Sequence, residues 1–287
     1  MRVGVVFPQT EIGADPGAIR AYAQAVTDLG YQHLLAYDHV VGADPEVHPD
    51  WRGPYDIDTT FHEPFVLFGF LASLTPIELV TGIIIVPQRQ TVLVAKQAAE
   101  VDLLTGGRFR LGVGVGWNAV EYEALGQDFT TRGARESEQI ELLRRLWTER
   151  SVTFEGDHDR VTGAGLCPLP VQRPIPVWVG GATPPAFRRA GRLADGWFPM
   201  MQPGPKLDEA RAVVADAARA AGRDPASLGM EGRLDVGSID ADELGERIEG
   251  WRAGGATHLT FNTMRAGLAT VDDHIAVLRA AAAVAID

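Results

Sequence analysis

The sequence of 287 residues contains a single cysteine, Cys167, and this scarcity excludes several kinds of site. One thiol cannot form an intramolecular disulfide, a multi-cysteine zinc site or a cysteine-held iron–sulfur cluster. Histidines spaced as His-x-His are absent, and so is a Gly-x-Ser-x-Gly turn. Neither a histidine-rich metal site nor a covalent serine nucleophile is therefore indicated, and we predict no metal.

Long apolar runs and positive charge are also scarce. The longest nearly apolar run, residues 79–86, is far shorter than a membrane span. The N-terminal run, residues 3–7, is too short for the apolar region of a signal peptide, so we expect a cytoplasmic protein. A net charge of -12 repels nucleic acid and anionic membranes, and we expect neither as a partner.

Short β-branched runs instead alternate with helical patterns along the whole chain. Strands separated by helices favour parallel pairing, and eight such units favour an α/β fold closed into a (β/α)8 TIM barrel. No composition shift or linker divides the chain, so we predict one domain over residues 1–287. The predicted strands cover residues 3–7, 33–37, 77–86, 109–115, 176–179, 196–198, 228–234 and 257–261.

Two stretches interrupt this regular alternation. Residues 42–62 form a segment rich in proline and glycine after strand two, and residues 151–173 form another after strand four. Within the second, Gly156-Asp157 is typical of a two-residue hairpin turn. We predict that both insertions lie over the C-terminal ends of the strands, where barrel enzymes keep their active sites.

The segments just beyond the predicted strands supply candidate catalytic residues. Asp38 and His39 follow strand two. A histidine beside an aspartate in a cleft is a common acid–base pair, so His39 is a candidate proton donor or acceptor. Asp38 could orient His39 or accept a hydrogen bond from a cofactor ring. Alternatively, His39 caps a loop, and Asp38 ends the strand in an Asx-type turn.

Two turns that contain glycine are candidates for holding a ligand. Gly180-Gly181-Ala182-Thr183 joins strand five to a helix, and free N–H groups at a helix start suit an anion. Gly114-Val115-Gly116 ends strand four, where positions without side chains let a flat ligand approach. Simple close packing is the alternative explanation of both turns.

Aromatic side chains are predicted near the same rim of the barrel. Their rings would shape a pocket for a small organic substrate, although most aromatic residues belong to a core. The candidates for the substrate pocket are Trp51, Phe61, Trp117 and Trp197.

Six motifs, taken in order, resemble the bacterial-luciferase-like monooxygenase superfamily. Within it, they are most similar to the oxidoreductases that depend on the deazaflavin coenzyme F420. The resemblance extends from strand one to about residue 199. The motifs are Asp38-His39, residues 81–89 (TGIIIVPQR), Lys96-Gln97, residues 103–108 (LLTGGR), residues 112–117 (GVGVGW) and residues 174–181 (PIPVWVGG).

The resemblance implies a TIM barrel that binds F420 at the C-terminal ends of its strands, usually as a homodimer. It implies that His39 donates or carries a proton and that Asp38 helps to hold the ring. A cis peptide bond near Gly82-Ile83 is frequent in the family, and the cofactor phosphate lies on Gly180, Gly181 and Ala182. The residues implied in cofactor binding are Asp38, Thr81, Gly82, Ile83, Gly114, Val115, Gly116, Val179, Gly180, Gly181, Ala182 and Thr183.

Three functions remain open. The first is an F420-dependent oxidoreductase that moves a hydride between the deazaflavin and a small organic substrate. The second is an FMN-dependent monooxygenase that uses O2 and reduced FMN from a partner flavin reductase. The third is a non-catalytic flavin-binding barrel, because a fold alone does not fix a function. Trp117 stands where sugar-oxidising members carry a glutamate, and the nearest acids are Glu121 and Glu123, so sugar oxidation is not implied.

Overall fold

Within the part of the chain that the structure describes, eleven strands form the barrel and one external hairpin. The computed structural model describes residues 1–237 and 239–286. The strands are β1 (Arg2–Val6), β2 (His33–Ala36), β3 (Glu78–Thr81), β4 (Ile84–Ile85), β5 (Phe109–Gly114), β6 (Val152–Glu155), β7 (Arg160–Ala164), β8 (Val177–Gly181), β9 (Gly196–Pro199), β10 (Gly229–Asp235) and β11 (His258–Asn262).

The barrel is a parallel sheet in the order β3-β2-β1-β11-β10-β9-β8-β5-β4, and the pairing of β3 with β5 closes it. Because β3 and β4 occupy one position, the barrel has eight positions, and the predicted TIM barrel is confirmed. Val3, Val5 and Val6 of β1 are all buried, as expected for a strand that is covered on both faces.

Nine helices surround the barrel within the described ranges. Side-chain caps fix several of their starts: the Asp15 carboxylate accepts the Gly17 N–H, and Thr270 and Asp273 form a capping box. None of these helices is both long and apolar enough to cross a membrane. They are α1 (Pro16–Asp28), α2 (Pro64–Leu71), α3 (Thr91–Thr105), α4 (Ala119–Ala124), α5 (Arg132–Thr148), α6 (Pro184–Leu193), α7 (Pro205–Ala220), α8 (Ala241–Ala253) and α9 (Val271–Ala285).

The third barrel position is interrupted, although the sequence predicts a continuous strand there. Strand β3 ends at Thr81, the Gly82–Ile83 peptide bond is cis, and β4 resumes the pairing with β5. A cis bond at this place is what the family resemblance implies. A side chain at position 82 has no room, because its Cβ would lie 2.2 Å from a methyl carbon of Leu35.

The first insertion, residues 42–62, follows β2 and lies at the C-terminal ends of the strands, as predicted. Its two arms meet where the Ile57 N–H donates to the Ala43 carbonyl at 3.1 Å. Its far end approaches the loop after β1, since His62 Nε2 is 3.2 Å from the Gly13 carbonyl oxygen. This insertion therefore covers the part of the barrel mouth that adjoins β1 and β2.

The second insertion does not lie over the barrel mouth, so that prediction is wrong. It leaves the chain after α5 and before β8, and its strands β6 and β7 form an external hairpin beside α3 and α5. Lys96 of α3 donates to the Cys167 carbonyl at 3.2 Å, which holds the returning arm. A chain that follows a helix starts from the N-terminal side of a barrel, which explains the placement.

The turn of this hairpin has four residues, 156–159, rather than the two that Gly156-Asp157 predicts. The Gly156 N–H donates to the Asp159 carbonyl at 2.9 Å. The carboxylate of Glu138, on α5, accepts the N–H groups of Asp157, His158 and Asp159 at 2.7, 2.9 and 2.6 Å. A tertiary contact therefore selects the longer turn, which presents three donors to one carboxylate.

A buried layer of charged groups closes the N-terminal half of the barrel. Arg110 Nη1 lies 2.5 Å from Glu231 Oε2, and His33 Nε2 lies 2.9 Å from Glu231 Oε1. Burial favours the neutral acid, yet Arg110 and His33 hold the pKa of Glu231 well below its usual range. Arg110 also stacks over Trp178, 4.1 Å from the ring centroid. This layer forms the floor beneath the barrel mouth.

Candidate active site

Asp38 lies at the C-terminal end of β2 in a buried ion pair. Its carboxylate accepts the Ile85 N–H at 3.0 Å and Arg89 Nη2 at 2.7 Å. Arg89 also contacts Glu63, at 3.0 Å from Nη1 to Oε1. Burial raises the pKa of Asp38 above its ordinary value even though Arg89 favours the charged form. Asp38 therefore ties the end of β2 to β4 and the turn that follows it.

The carboxylate beside His39 is Glu121 rather than Asp38, which corrects the sequence interpretation. Nδ1 of His39 lies 3.4 Å from Oε2 of Glu121. Glu121 is fully buried and also accepts the Val40 N–H at 2.5 Å and Gln88 Nε2 at 3.0 Å. Burial alone raises the pKa of Glu121, but the hydrogen bonds from His39 and Gln88 outweigh it and hold that pKa below its ordinary value.

The position of Glu121 follows from the start of α4. Asn118 caps this helix, and its side chain accepts the Glu121 N–H at 3.2 Å. The third residue of such a helix start commonly returns a carboxylate to the cap, but Glu121 turns to His39 instead. The Asn118–Glu121 spacing after strand four was the signal in the sequence, and it revealed the cap but not the partner.

Three aromatic rings enclose His39. The ring centroids of Tyr55, Phe61 and Trp117 lie 5.2, 4.7 and 5.5 Å from that of His39. Trp51 adjoins this group, 5.4 Å from Trp117. The structure thus brings Phe61 and Trp117 against His39 and Trp51 against Trp117, and it adds Tyr55, which was not among the predicted pocket residues.

Trp197 lies elsewhere, and its placement in the pocket was wrong. Its buried ring packs against Phe187 of α6, with centroids 5.7 Å apart. Successive side chains of a strand point to opposite faces, so Trp197 faces the helices while its neighbour Phe198 faces the barrel interior. Phe198 packs there against the small apolar cluster of Val6, Leu35, Val80 and Met264. The two-residue period of β9 was the signal that identifies Phe198 instead.

Ile83 rests on the two glycine turns and forms a raised surface at the barrel mouth. A Cβ at Gly114 would lie 2.6 Å from Ile83 Cδ1, and a Cβ at Gly180 would lie 2.9 Å from Ile83 Cγ2. These glycines therefore make room for the Ile83 side chain. A ligand would contact Ile83 rather than the glycines themselves. A flat ring fits such a surface, because Gly82 and Ile83 remain partly exposed.

Thr81 and Val115 make hydrogen bonds that hold the backbone of the site in place. The buried Thr81 hydroxyl donates to the Gly112 carbonyl at 2.8 Å, so its proton is not available to a ligand. The Val115 carbonyl accepts the Tyr122 hydroxyl at 2.6 Å, and Gly116 turns the chain with a φ of +64°. These contacts fix the end of β5 beside His39.

The turn after β8 is open to a ligand but has fewer donors than its sequence suggests. Ala182 and Thr183 are exposed, whereas Val179 is buried. Pro184 and Pro185 begin α6 and lack N–H groups, which removes two of the donors that a helix start usually offers. The Thr183 hydroxyl makes no capping bond and is available, so the turn still fits a phosphate.

These parts together fit a flat cofactor with a phosphate. Ile83 offers the ring surface, the exposed turn after β8 offers an anion site, and His39 supplies a titratable group nearby. No cluster of three or more metal-ligating side chains occurs in residues 1–237 and 239–286.

Comparisons with known proteins agree with this geometry. A family model described as luciferase-like monooxygenase matches residues 1–238. The F420-dependent hydroxymycolic acid dehydrogenase of Mycobacterium tuberculosis is 28% identical over 258 residues, which are 87% of this chain and 66% of that protein. The FMNH2-dependent dimethylsulfone monooxygenase of Pseudomonas putida is 32% identical over 148 residues, which are 50% of this chain and 40% of that protein.

A solved structure extends the likeness over the whole fold. It is an F420-dependent secondary alcohol dehydrogenase in complex with an F420–acetone adduct. It matches with a TM-score of 0.81 over 100% of this chain and 99% of that chain, at 18% identity. At this identity the likeness establishes the barrel fold.

Proposed function

Because the chain belongs to the luciferase-like monooxygenase family, we propose that it is an F420-dependent oxidoreductase that transfers a hydride between the deazaflavin and a small organic substrate. The observation that carries this proposal is the His39–Glu121 pair at the barrel mouth, with a contact of 3.4 Å. An enzyme that moves a hydride to or from a carbonyl must also move a proton, and this pair is suited to that task.

The cofactor would be held by elements at the C-terminal ends of the strands. The exposed Ala182 and Thr183 would bind its phosphate, and Gly82-Ile83 would support its ring. Asp38 would act indirectly by fixing Ile85 and Arg89. When bound, the deazaflavin would supply the carbon centre that gives or accepts the hydride.

The side chains of the protein would control the proton. Glu121 engages Nδ1 of His39, so Nε2 is the atom that would give a proton to the substrate or take one from it. The negative charge of Glu121 would stabilise the imidazolium when His39 holds both protons. The rings of Phe61 and Trp117 would keep water away from the reacting centre.

A monooxygenase that uses reduced FMN and O2 is the second candidate. The similarity to the dimethylsulfone monooxygenase of Pseudomonas putida favours it. The same turn after β8 would take the phosphate of FMN, and a flavin reductase would be a partner. In this alternative no hydride transfer to a carbonyl has to be matched by a proton from His39.

Fluorescence titration of the cofactor-free protein with F420, and separately with FMN, tests the proposal. We expect F420 to bind at least about tenfold more tightly than FMN. A preference for FMN would move the protein to the second candidate. If the protein binds either cofactor but turns over no compound in a broad substrate screen, a non-catalytic barrel is favoured.

Oligomeric state and location stay predictions from the sequence. Light scattering after size-exclusion chromatography would test the homodimer, with twice the mass of the 30.9 kDa chain as the expected result.

A further inference from the structure

A cavity in the barrel mouth is lined by residues that include Gly82, Tyr37 and one arginine. Apolar side chains such as Leu35, Phe198 and Met200 line its walls, and Arg233 of β10 lines its rim. Glu231 lines the floor, but Arg110 and His33 already compensate its charge. Among the described residues that line this cavity, Arg233 therefore supplies the uncompensated charge.

Arg233 keeps its charge available because its contacts within the protein are weak. Its Nη1 donates to the Tyr37 hydroxyl at 3.3 Å. Its Nε lies 3.6 Å from Asp235 Oδ1, and the two side chains are 47% and 64% exposed. An exposed pair at this distance contributes little stability. Asp235 also accepts Asn262 Nδ2 at 2.7 Å and does not line the cavity.

A second arginine brings positive charge to the same side of the mouth. Arg265 lies in the loop after β11 with a φ of 62°, a left-handed conformation that is unusual for a residue other than glycine. The Glu11 carboxylate accepts its backbone N–H at 2.7 Å, and its guanidinium donates to the Pro54 carbonyl at 2.8 Å. The guanidinium then lies over Tyr55, 5.1 Å from the ring centroid.

Tyr55 connects this charge to the proposed reaction centre. Its ring lies 5.2 Å from that of His39. Burial raises the pKa of Tyr55, while Arg265 and Arg233 both oppose that rise because their charges are close to its hydroxyl. Arg265 and His39 thus both contact the Tyr55 ring, so positive charge lies close to His39 in a protein whose net charge is -12.

We propose that the substrate is a small carboxylate, whose carboxyl group binds Arg233 and the Tyr37 hydroxyl while its apolar part extends along Phe198 toward His39. An arginine fork matches the two oxygens of a carboxylate, and the adjoining phenol adds a third donor. The apolar walls accept a hydrocarbon portion. This inference rests on the proposed function, because it assigns the substrate of the same site.

The test compares hexanoate with hexanamide, which has nearly the same shape and no charge. Calorimetric titrations use the protein with and without saturating F420 or FMN. We expect hexanoate to bind at least about tenfold more tightly than hexanamide, and Arg233→Gln to remove most of this preference. Arg233→Lys keeps the charge without the fork and should give an intermediate preference.

Arg247→Gln is the matched control, because Arg247 is 48% exposed on α8 and pairs with Glu243 away from the cavity. It should leave the preference for hexanoate unchanged. Equal binding of hexanoate and hexanamide in every form of the protein would overturn the inference, and so would a preference that survives Arg233→Gln.

A cofactor titration separates this inference from the proposed function. Arg233→Gln should leave the affinity for F420 within about twofold of wild type, because Arg233 is assigned to the substrate. A large loss of F420 affinity in this variant would assign Arg233 to the cofactor and overturn the inference. Failure of the wild-type protein to bind F420 would instead contradict the proposed function, with the carboxylate preference still measured directly.

Discussion

Nδ1 of His39 lies 3.4 Å from Oε2 of Glu121, although the two residues belong to different βα units of the barrel. The helix start at Asn118 fixes Glu121, and the end of β2 fixes His39. The pair therefore depends on the closed barrel, and it gives one ring nitrogen a fixed partner while the other remains for chemistry.

Replacing Glu121 by glutamine tests the positioning of His39. Glu121→Gln keeps an oxygen for the Val40 N–H but removes the negative charge beside the imidazole. We expect the turnover number to fall about tenfold to a hundredfold, since acid–base groups contribute on this scale. The pH–rate profile should also change, because the variant lacks the carboxylate whose pKa is held below its ordinary value by hydrogen bonds from His39 and Gln88.

Glu123→Gln is the control for this experiment, since Glu123 lies on the same helix and is exposed. Its pH–rate profile should match wild type. An unchanged profile in Glu121→Gln would show that Glu121 is only a packing residue.

The Asp38–Arg89 ion pair should contribute to the stability of the fold. Arg89→Gln leaves the carboxylate of Asp38 buried without its cation, which costs about 3–5 kcal/mol of the free energy of unfolding. The variant raises the pKa of Asp38 further, so its deficit should grow as the pH rises and the carboxyl must ionise. Urea unfolding at pH 5 and pH 8 measures both effects.

The double variant Asp38→Asn/Arg89→Gln provides the comparison. It removes both charges, so it should be more stable than Arg89→Gln alone at pH 8. A double variant that is as unstable as the single one would mean that packing, rather than the unpaired charge, causes the loss.

Gly114→Ala should disturb the surface that Ile83 forms. The added Cβ would lie 2.6 Å from Ile83 Cδ1, so the side chain must move. We expect a loss of about 1–3 kcal/mol in unfolding free energy, as for other overpacked sites, together with weaker cofactor binding. Gly245→Ala, in α8, meets no atom closer than 3.9 Å and should be neutral or stabilising. Cofactor affinity equal to wild type in Gly114→Ala would separate Ile83 from the binding site.

His258 should make the fold sensitive to acid. Burial, together with the charge of Arg110, lowers the pKa of His258 from 6.5 to about 3. Between these values the unfolded chain binds a proton that the folded chain does not, so stability is lost as the pH falls below 6.5. His258→Asn should reduce this slope by up to about 1.4 kcal/mol per pH unit.

Urea midpoints at pH 7.5, 5.5 and 4.5 measure the slope. His158→Asn, in the exposed hairpin turn, is the control and should keep the slope of wild type. If the stability of His258→Asn changed with pH in the same way as that of wild type, His258 would not be the cause of the acid sensitivity.

The barrel could be predicted from the sequence because its signals are local and repeated. Apolar runs, helix caps such as Asp15, and glycine after helices each report on a few neighbouring residues. The interruption at Gly82-Ile83 had no such local signal. The hairpin turn after β6 also differed, because Glu138 on another element selects its length.

The site was predictable only in part, for a related reason. His39, Phe61 and Trp117 could be placed near one another because strand ends of a parallel barrel share one rim. Partners across that rim could not be assigned, so the sequence pointed to Asp38 where the structure places Glu121. The sequence also left open which residues of β9 face the barrel interior. For this reason Trp197 was predicted in the pocket, whereas the structure places Phe198 on that face.

The buried layer of Arg110, Glu231 and His33 closes the barrel below its mouth, so the cavity opens at the mouth alone. The side chains of these three residues are at most 3% exposed, so solvent does not reach the cavity through this layer. Whatever enters the mouth must leave the same way. A cofactor and a substrate bound one above the other would therefore have to leave in the reverse of the order in which they entered.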